Sequence, residues 1–149
     1  MVRSILFIHQ NFPAQFKSLA PALARRGDIV SVLTMRDLGG DYWNGVRVFG
    51  YSPARDSAKD VHPWLKDFET KTIRAEACFR AAMDLKRRGY EPDTIIAHPG
   101  WGEALFLSRV WPNAKIGLYC ELYYQESGAD TDFDPEFPTD DVEGNACRL

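Results

Sequence analysis

The sequence predicts an α/β protein built on a doubly wound, mostly parallel, Rossmann-like sheet with helices on both faces. Three observations predict it. Ser4 is followed by the apolar run Ile5, Leu6, Phe7 and Ile8, the composition of a strand buried on both sides. Further β-rich runs, at residues 29–35, 93–97 and 115–120, alternate with helical spacing of apolar residues, which is how βαβ units read. The helical stretches stop at Gly27, Gly89 and the Trp111-Pro112 pair, residues that punctuate helix ends.

The elements follow in order. Residues 4–8 form a central parallel strand. After the turn-forming residues 9–13, Phe16, Leu19, Ala20, Leu23 and Ala24 recur at helical spacing, with Asn11 or Phe12 near the N-cap and Pro13 in the first turn. Residues 29–35 are the next strand, returned for parallel pairing by a crossover helix. Residues 39–45 read as a loop, and residues 46–51 alternate as a third, more exposed strand. No glycine or proline interrupts residues 64–88, which predicts one long helix from Pro63. Trp64, Phe68, Ala75, Cys78, Phe79, Ala81, Ala82 and Leu85 mark its apolar face. Residues 93–97 are a fourth strand, residues 103–110 a helix, and residues 115–120 a fifth strand.

Composition narrows the function classes. With 149 residues, 45% of them hydrophobic, the chain holds one ordinary core, assigned to residues 1–125. Residues 126–149 differ: eight acidic residues and no basic ones lie between Glu126 and Glu143, as in an acidic loop. A helix start follows from about residue 139, so the chain is expected to be cut before a second domain. No apolar stretch approaches the ~20 residues of a membrane span, and no leader pattern opens the chain, so a cytoplasmic location is expected. The net charge of −3 offers no basic face for nucleic acid. Arg25-Arg26 and Lys86-Arg87-Arg88 each precede a glycine and complement helix dipoles. Cys78, Cys120 and Cys147 are odd in number and distant, so reduced, mostly buried thiols are expected rather than disulfides or zinc.

Ligands of an open parallel sheet bind beyond the carboxyl ends of its strands, near the point where strand order reverses. Three loops qualify. The first, after residue 8, has neither the glycine spacing of a dinucleotide fingerprint nor a phosphate loop; it offers His9, Gln10 and Asn11, donors and acceptors suited to hydroxyl groups of a sugar or other polyol. The alternative is that Asn11 caps the helix while His9 and Gln10 satisfy loop backbone. The second loop places His98 at the end of a strand, turns at Pro99-Gly100, and opens a helix at Gly102-Glu103 whose N–H groups can take a phosphate or carboxylate. His98 is the candidate catalytic residue, able to orient a hydroxyl or move a proton near neutral pH. The alternative is a histidine satisfied by backbone, with Trp101 as packing and Glu103 complementing a helix end. The third loop carries Tyr123 and Tyr124, which with Trp101 can wall a sugar ring; Tyr119 reads as core or rim packing. Asp130, Asp132 and Asp134 lack the glycine and glutamate that a calcium loop places at its sixth and twelfth positions. A solvated acidic loop accounts for them, and no metal site is expected.

The HQNFP opening at residues 9–13, the LAPALARRG stretch at residues 19–27, HPGWGE at residues 98–103 and YCELYY at residues 119–124 resemble the amino-terminal region of bacterial family-four glycosyltransferases. The resemblance spans essentially the whole chain and departs from its pattern at Ala14, where glycine is expected. It implies the amino-terminal half of a GT-B enzyme: two Rossmann-like domains facing a cleft, sugar transfer from a nucleotide-sugar donor with retention, and no metal or other cofactor. Carried onto this chain, it sets His9, Gln10 and Asn11 near the donor diphosphate or acceptor and His98 beside the transferring sugar. The implied partners are a sugar or glycan acceptor and a carboxyl-terminal donor-binding domain of the same chain, and peripheral membrane association of the full enzyme is compatible with it. The fragment alone is expected to be inactive. Two other readings stay open: a stand-alone flavodoxin-like binding or regulatory module, and part of a GT-B shaped sugar-nucleotide epimerase.

Overall fold

The computed structural model describes residues 1–120 and residue 136. The acidic stretch, the expected helix from residue 139, Tyr123, Tyr124 and Cys147 lie outside the described residues. Six strands form one sheet in the order β3-β4-β2-β1-β5-β6: β1 Ser4–Ile8, β2 Ile29–Thr34, β3 Tyr42–Trp43, β4 Val46–Gly50, β5 Thr94–Ala97 and β6 Lys115–Leu118. All pairs are parallel except β3 with β4. The chain runs outward from β1 through β2 to β4, then crosses back to the other side of β1 for β5 and β6. Strand order therefore reverses between β1 and β5, and the fold is the expected α/β Rossmann-like type.

The alternating pleat of β1 divides the core. Ile5 and Phe7 pack with Phe12, Phe16, Ala20, Val30, Val32 and Val46, under α1 (Leu19–Arg25) and a 3-10 turn at Ala14–Phe16. Leu6 and Ile8 face the other way, against Cys78, Ala82 and Leu85 of α2 (Lys66–Arg87) and Leu107 and Val110 of α3 (Leu107–Val110). Both faces of the sheet are thus covered, which is why β1 is apolar at each buried position, Ile5 to Ile8.

Several expectations need correction. The first helix begins at Leu19, not at Pro13, because Ala14 takes φ +36°, a left-handed backbone that cannot continue a right-handed helix. The Phe12–Pro13 peptide is cis. Residues 39–45 include strand β3, paired with β4 across Asn44 (φ +47°) and Gly45 (φ +83°); two positive φ angles in succession make the tight turn whose twist suits a hairpin. The last helix spans Leu107–Val110 rather than residues 103–110, so residues 102 and 103 lie in turns ahead of it. Trp64 and Phe68 are each 51% exposed; the buried positions of α2 begin at Ile73. Cys78 is buried but Cys120 is exposed. No helix among the described residues is long and apolar enough to cross a membrane.

Candidate functional site

Sheet register builds the site. Ile8 pairs with Leu33 on one side and Ala97 on the other, and Ala97 pairs with Leu118. The next residue of each chain segment falls in a row along the carboxyl edge: His9 in the middle, His98 beside it, and Tyr119 beyond. The ladder continues through them, since His98 N–H donates to the Ile8 carbonyl (3.3 Å), His9 N–H to that of Leu33 (3.3 Å) and Tyr119 N–H to that of Ala97 (2.9 Å). Both histidines share the pleat phase of the α1 face, and their ring centres lie 5.4 Å apart, edge to face. This pair stands where strand order reverses, the place an open α/β sheet offers a ligand.

Each imidazole is held by its own loop. His9 Nδ1 accepts from Asn11 N–H at 3.0 Å, and His98 Nδ1 accepts from Gly100 N–H at 3.1 Å. A ring nitrogen that accepts carries no proton, so in the neutral ring the proton sits on Nε2, which becomes a donor. The spacing of each turn, a histidine accepting from the second residue on, is common to the two loops. Phe16 packs against the edge of His9 (6.0 Å) and against Tyr119 (5.7 Å). Tyr119 is nearly half exposed, and so belongs to the rim of this site.

Gln10 is buried, and its carbonyl accepts from Thr34 Oγ1 (2.9 Å) and from the N–H groups of Met35 (3.2 Å) and Arg36 (3.1 Å). That knot ties the loop after β1 to the loop after β2. Asn11 is exposed; α1 starts eight residues later, so Asn11 does not cap it. Beside this knot, a hollow of about 370 Å3 is lined in part by Arg36, Asp37 and Asp41. A hollow of equal size at the amino ends of β1 and β2, lined by Arg3, Arg26 and Asp28, lies at the opposite edge from the histidines.

The loop from His98 to Glu103 is clamped from beneath. Gly102 has φ +100°, and a Cβ built there would meet the Lys71 carbonyl oxygen of α2 at 2.3 Å, so only glycine permits this approach. Glu103 is 2% exposed and its Oε1 accepts from the Tyr51 hydroxyl at 2.8 Å. Its carboxylate lies under the loop, within the electrostatic reach of Cys78. Burial first, and the neighbouring Glu103 charge second, push both the Tyr51 hydroxyl and the Cys78 thiol well above their ordinary pKa values. Cys78 is therefore an inert thiol. Above the loop, Trp101 lies nearly parallel to His98 (28°, 6.3 Å between ring centres), and the Arg74 guanidinium lies 5.7 Å from the centre of the Trp101 ring.

His9, Gln10, His98, Gly100 and Trp101 are thus gathered at one edge, with Gly102 and Glu103 as the footing of the second loop. Reading by residue type missed Arg74 and Tyr51; neither carries a local signal, because each reaches the loop from a distant element.

Comparison with known proteins decides the family. The model of the Glycosyl transferase family 4 group matches residues 26–149, most of the chain, including the HPGWGE loop. The chain belongs to this family. The matched span holds α2, β5 and the His98 loop of this glycosyltransferase domain, while the His9 loop lies ahead of it. No curated protein matches the chain.

Proposed function

We propose that this family 4 domain forms the acceptor-side wall of a cleft in which a sugar passes from a nucleotide-sugar donor to a sugar or glycan acceptor, with retention and without a metal. The observation that carries the reading is the His9–His98 pair, set side by side by sheet register at the strand-order reversal in a chain of this family. In this reading His98 Nε2–H donates to a hydroxyl oxygen beside the transferring carbon, and the Gly100 N–H bond to Nδ1 fixes the ring that does so. His9, Gln10 and Asn11 contact the acceptor or the donor diphosphate. The diphosphate leaves with negative charge that needs stabilising donors or cations, and a second domain facing this edge supplies them, so residues 1–149 alone turn over no donor.

The test uses the natural protein with its second domain and a panel of nucleotide sugars. His98→Ala is expected to lower kcat by roughly 10²–10⁴-fold, the range of a lost positioned proton donor, with circular dichroism unchanged. Unchanged turnover in a folded variant removes His98 from the site.

A further inference from the structure

Helix α2 pairs most of its charges. Lys71 bonds Asp67 (2.6 Å), Arg80 bonds Glu76 (2.6 Å), Arg87 bonds Asp84, Glu69 bonds Arg55 (3.0 Å), and Lys86 Nζ donates to the Val110 carbonyl (2.5 Å). Arg74 differs from these. It is half-buried, and it makes no hydrogen bond or ion pair among the described residues. Among the described residues it lies against the Trp101 ring, and its charge also reaches the Tyr51 hydroxyl. The close approach of Gly102 to Lys71 explains the placement: residues three apart on a helix share a face, so docking the loop at Lys71 brings Arg74 against Trp101. Glu103, the only acid in the HPGWGE loop, is taken by the Tyr51 hydroxyl beneath, and forms no ion pair with Arg74. The cation is left against Trp101, a residue that is 41% exposed and stacks on His98.

A partly desolvated cation with no ion-pair partner among the described residues is costly, and the cost is recovered when an anion arrives. Guanidinium presents a planar fork that matches a carboxylate or phosphate with two parallel hydrogen bonds. The exposed part of Trp101 offers aromatic surface of the kind that suits the C–H face of a sugar ring. We propose that Arg74 and Trp101 select an acceptor carrying an anionic group, a phosphate or a carboxylate, next to the hydroxyl that faces His98. This rests on the acceptor-side reading above and adds the charge class of the acceptor.

The test titrates the 15N-labelled 149-residue chain with glucose 6-phosphate, glucuronate and glucose, following the Gly100 and Gly102 amides and the Trp101 indole N–H. One or both anionic sugars bind roughly tenfold more tightly than glucose, as a charge-assisted pair requires; comparing the two distinguishes phosphate from carboxylate. Raising ionic strength from about 0.05 to about 0.3 M weakens that preference several-fold. Arg74→Gln abolishes the preference, and Arg74→Lys, a point charge without the fork, keeps part of it. If glucose binds as tightly as both anionic sugars, or if the preference survives in Arg74→Gln, the anion site is overturned while the acceptor reading stands. If none of the three sugars moves these signals, the acceptor reading at this loop falls with it.

Discussion

At the scale of single residues, backbone angle decides more than side-chain type. Ala14 occupies φ +36°, where an L side chain crowds the following carbonyl at a cost of about 1–2 kcal/mol, whereas glycine enters freely. The family resemblance expects glycine at this position, and the backbone supplies the reason. Ala14→Gly is therefore expected to stabilise the domain by about 0.5–1 kcal/mol, after subtracting the larger entropy that glycine loses on folding. For a chain of this length the melting temperature rises by about 1–4 °C. Differential scanning calorimetry of the two proteins reads the shift, and a lower melting temperature for the glycine variant would contradict the left-handed assignment.

At the scale of elements, two segments that read as simple from the sequence are shaped by what they dock against. The loop after β5 was expected to open a helix at Gly102-Glu103. Instead, Gly102 is pressed on Lys71 and Glu103 is drawn inward to Tyr51, and helical hydrogen bonding waits until Leu107. Gly102→Ala places a methyl group against backbone that cannot yield, in a conformation unfavourable for alanine, so a loss of about 2–4 kcal/mol is expected. Urea unfolding measures it. The Trp101 and His98 signals should shift in the same variant, since the loop must lift from α2; a variant as stable as the parent would show that the loop is not seated there. Legibility from sequence follows the same line. β1 and β5 were readable because strands buried on both faces announce themselves in local composition. The convergence of the His9 and His98 loops was readable from topology, because parallel strands flanking the reversal point end at one edge. The hairpin was missed although Asn44-Gly45 signals it, since β3 has only two residues. Nothing local betrays the Tyr51–Glu103 bond or the placement of Arg74 over Trp101, which join residues 52 and 27 positions apart.

At the scale of the whole molecule, the buried cluster under the His98 loop couples the site to global stability. Cys78 lies in the sheet–α2 core and Tyr51 just beyond β4, and both have pKa values raised from ordinary values of 9.0 and 10.0. Burial is the larger cause in each, and the Glu103 charge adds to it. In the unfolded chain the thiol loses its proton above about pH 9 and the phenol above about pH 10, while the folded chain keeps both. The folded state then binds more protons than the unfolded one, and stability falls as pH rises. Stability contributed by these groups is fully present at neutral pH. It is lost from about pH 9 at up to about 1.4 kcal/mol per pH unit for one group, and at about twice that slope once Tyr51 joins. Tyr90, whose pKa is raised by burial, acts in the same direction. Cys78→Ala leaves a small cavity and costs stability at every pH, but it moves the onset of the alkaline decline up toward pH 10, because the remaining groups are phenols. Urea midpoints of the reduced protein between pH 7 and pH 11 separate the two effects: the cavity shifts the curve downward, and the missing thiol changes where it bends. A bend that stays near pH 9 in Cys78→Ala would mean that another group, and not this thiol beneath the loop, is the one forced to keep its proton.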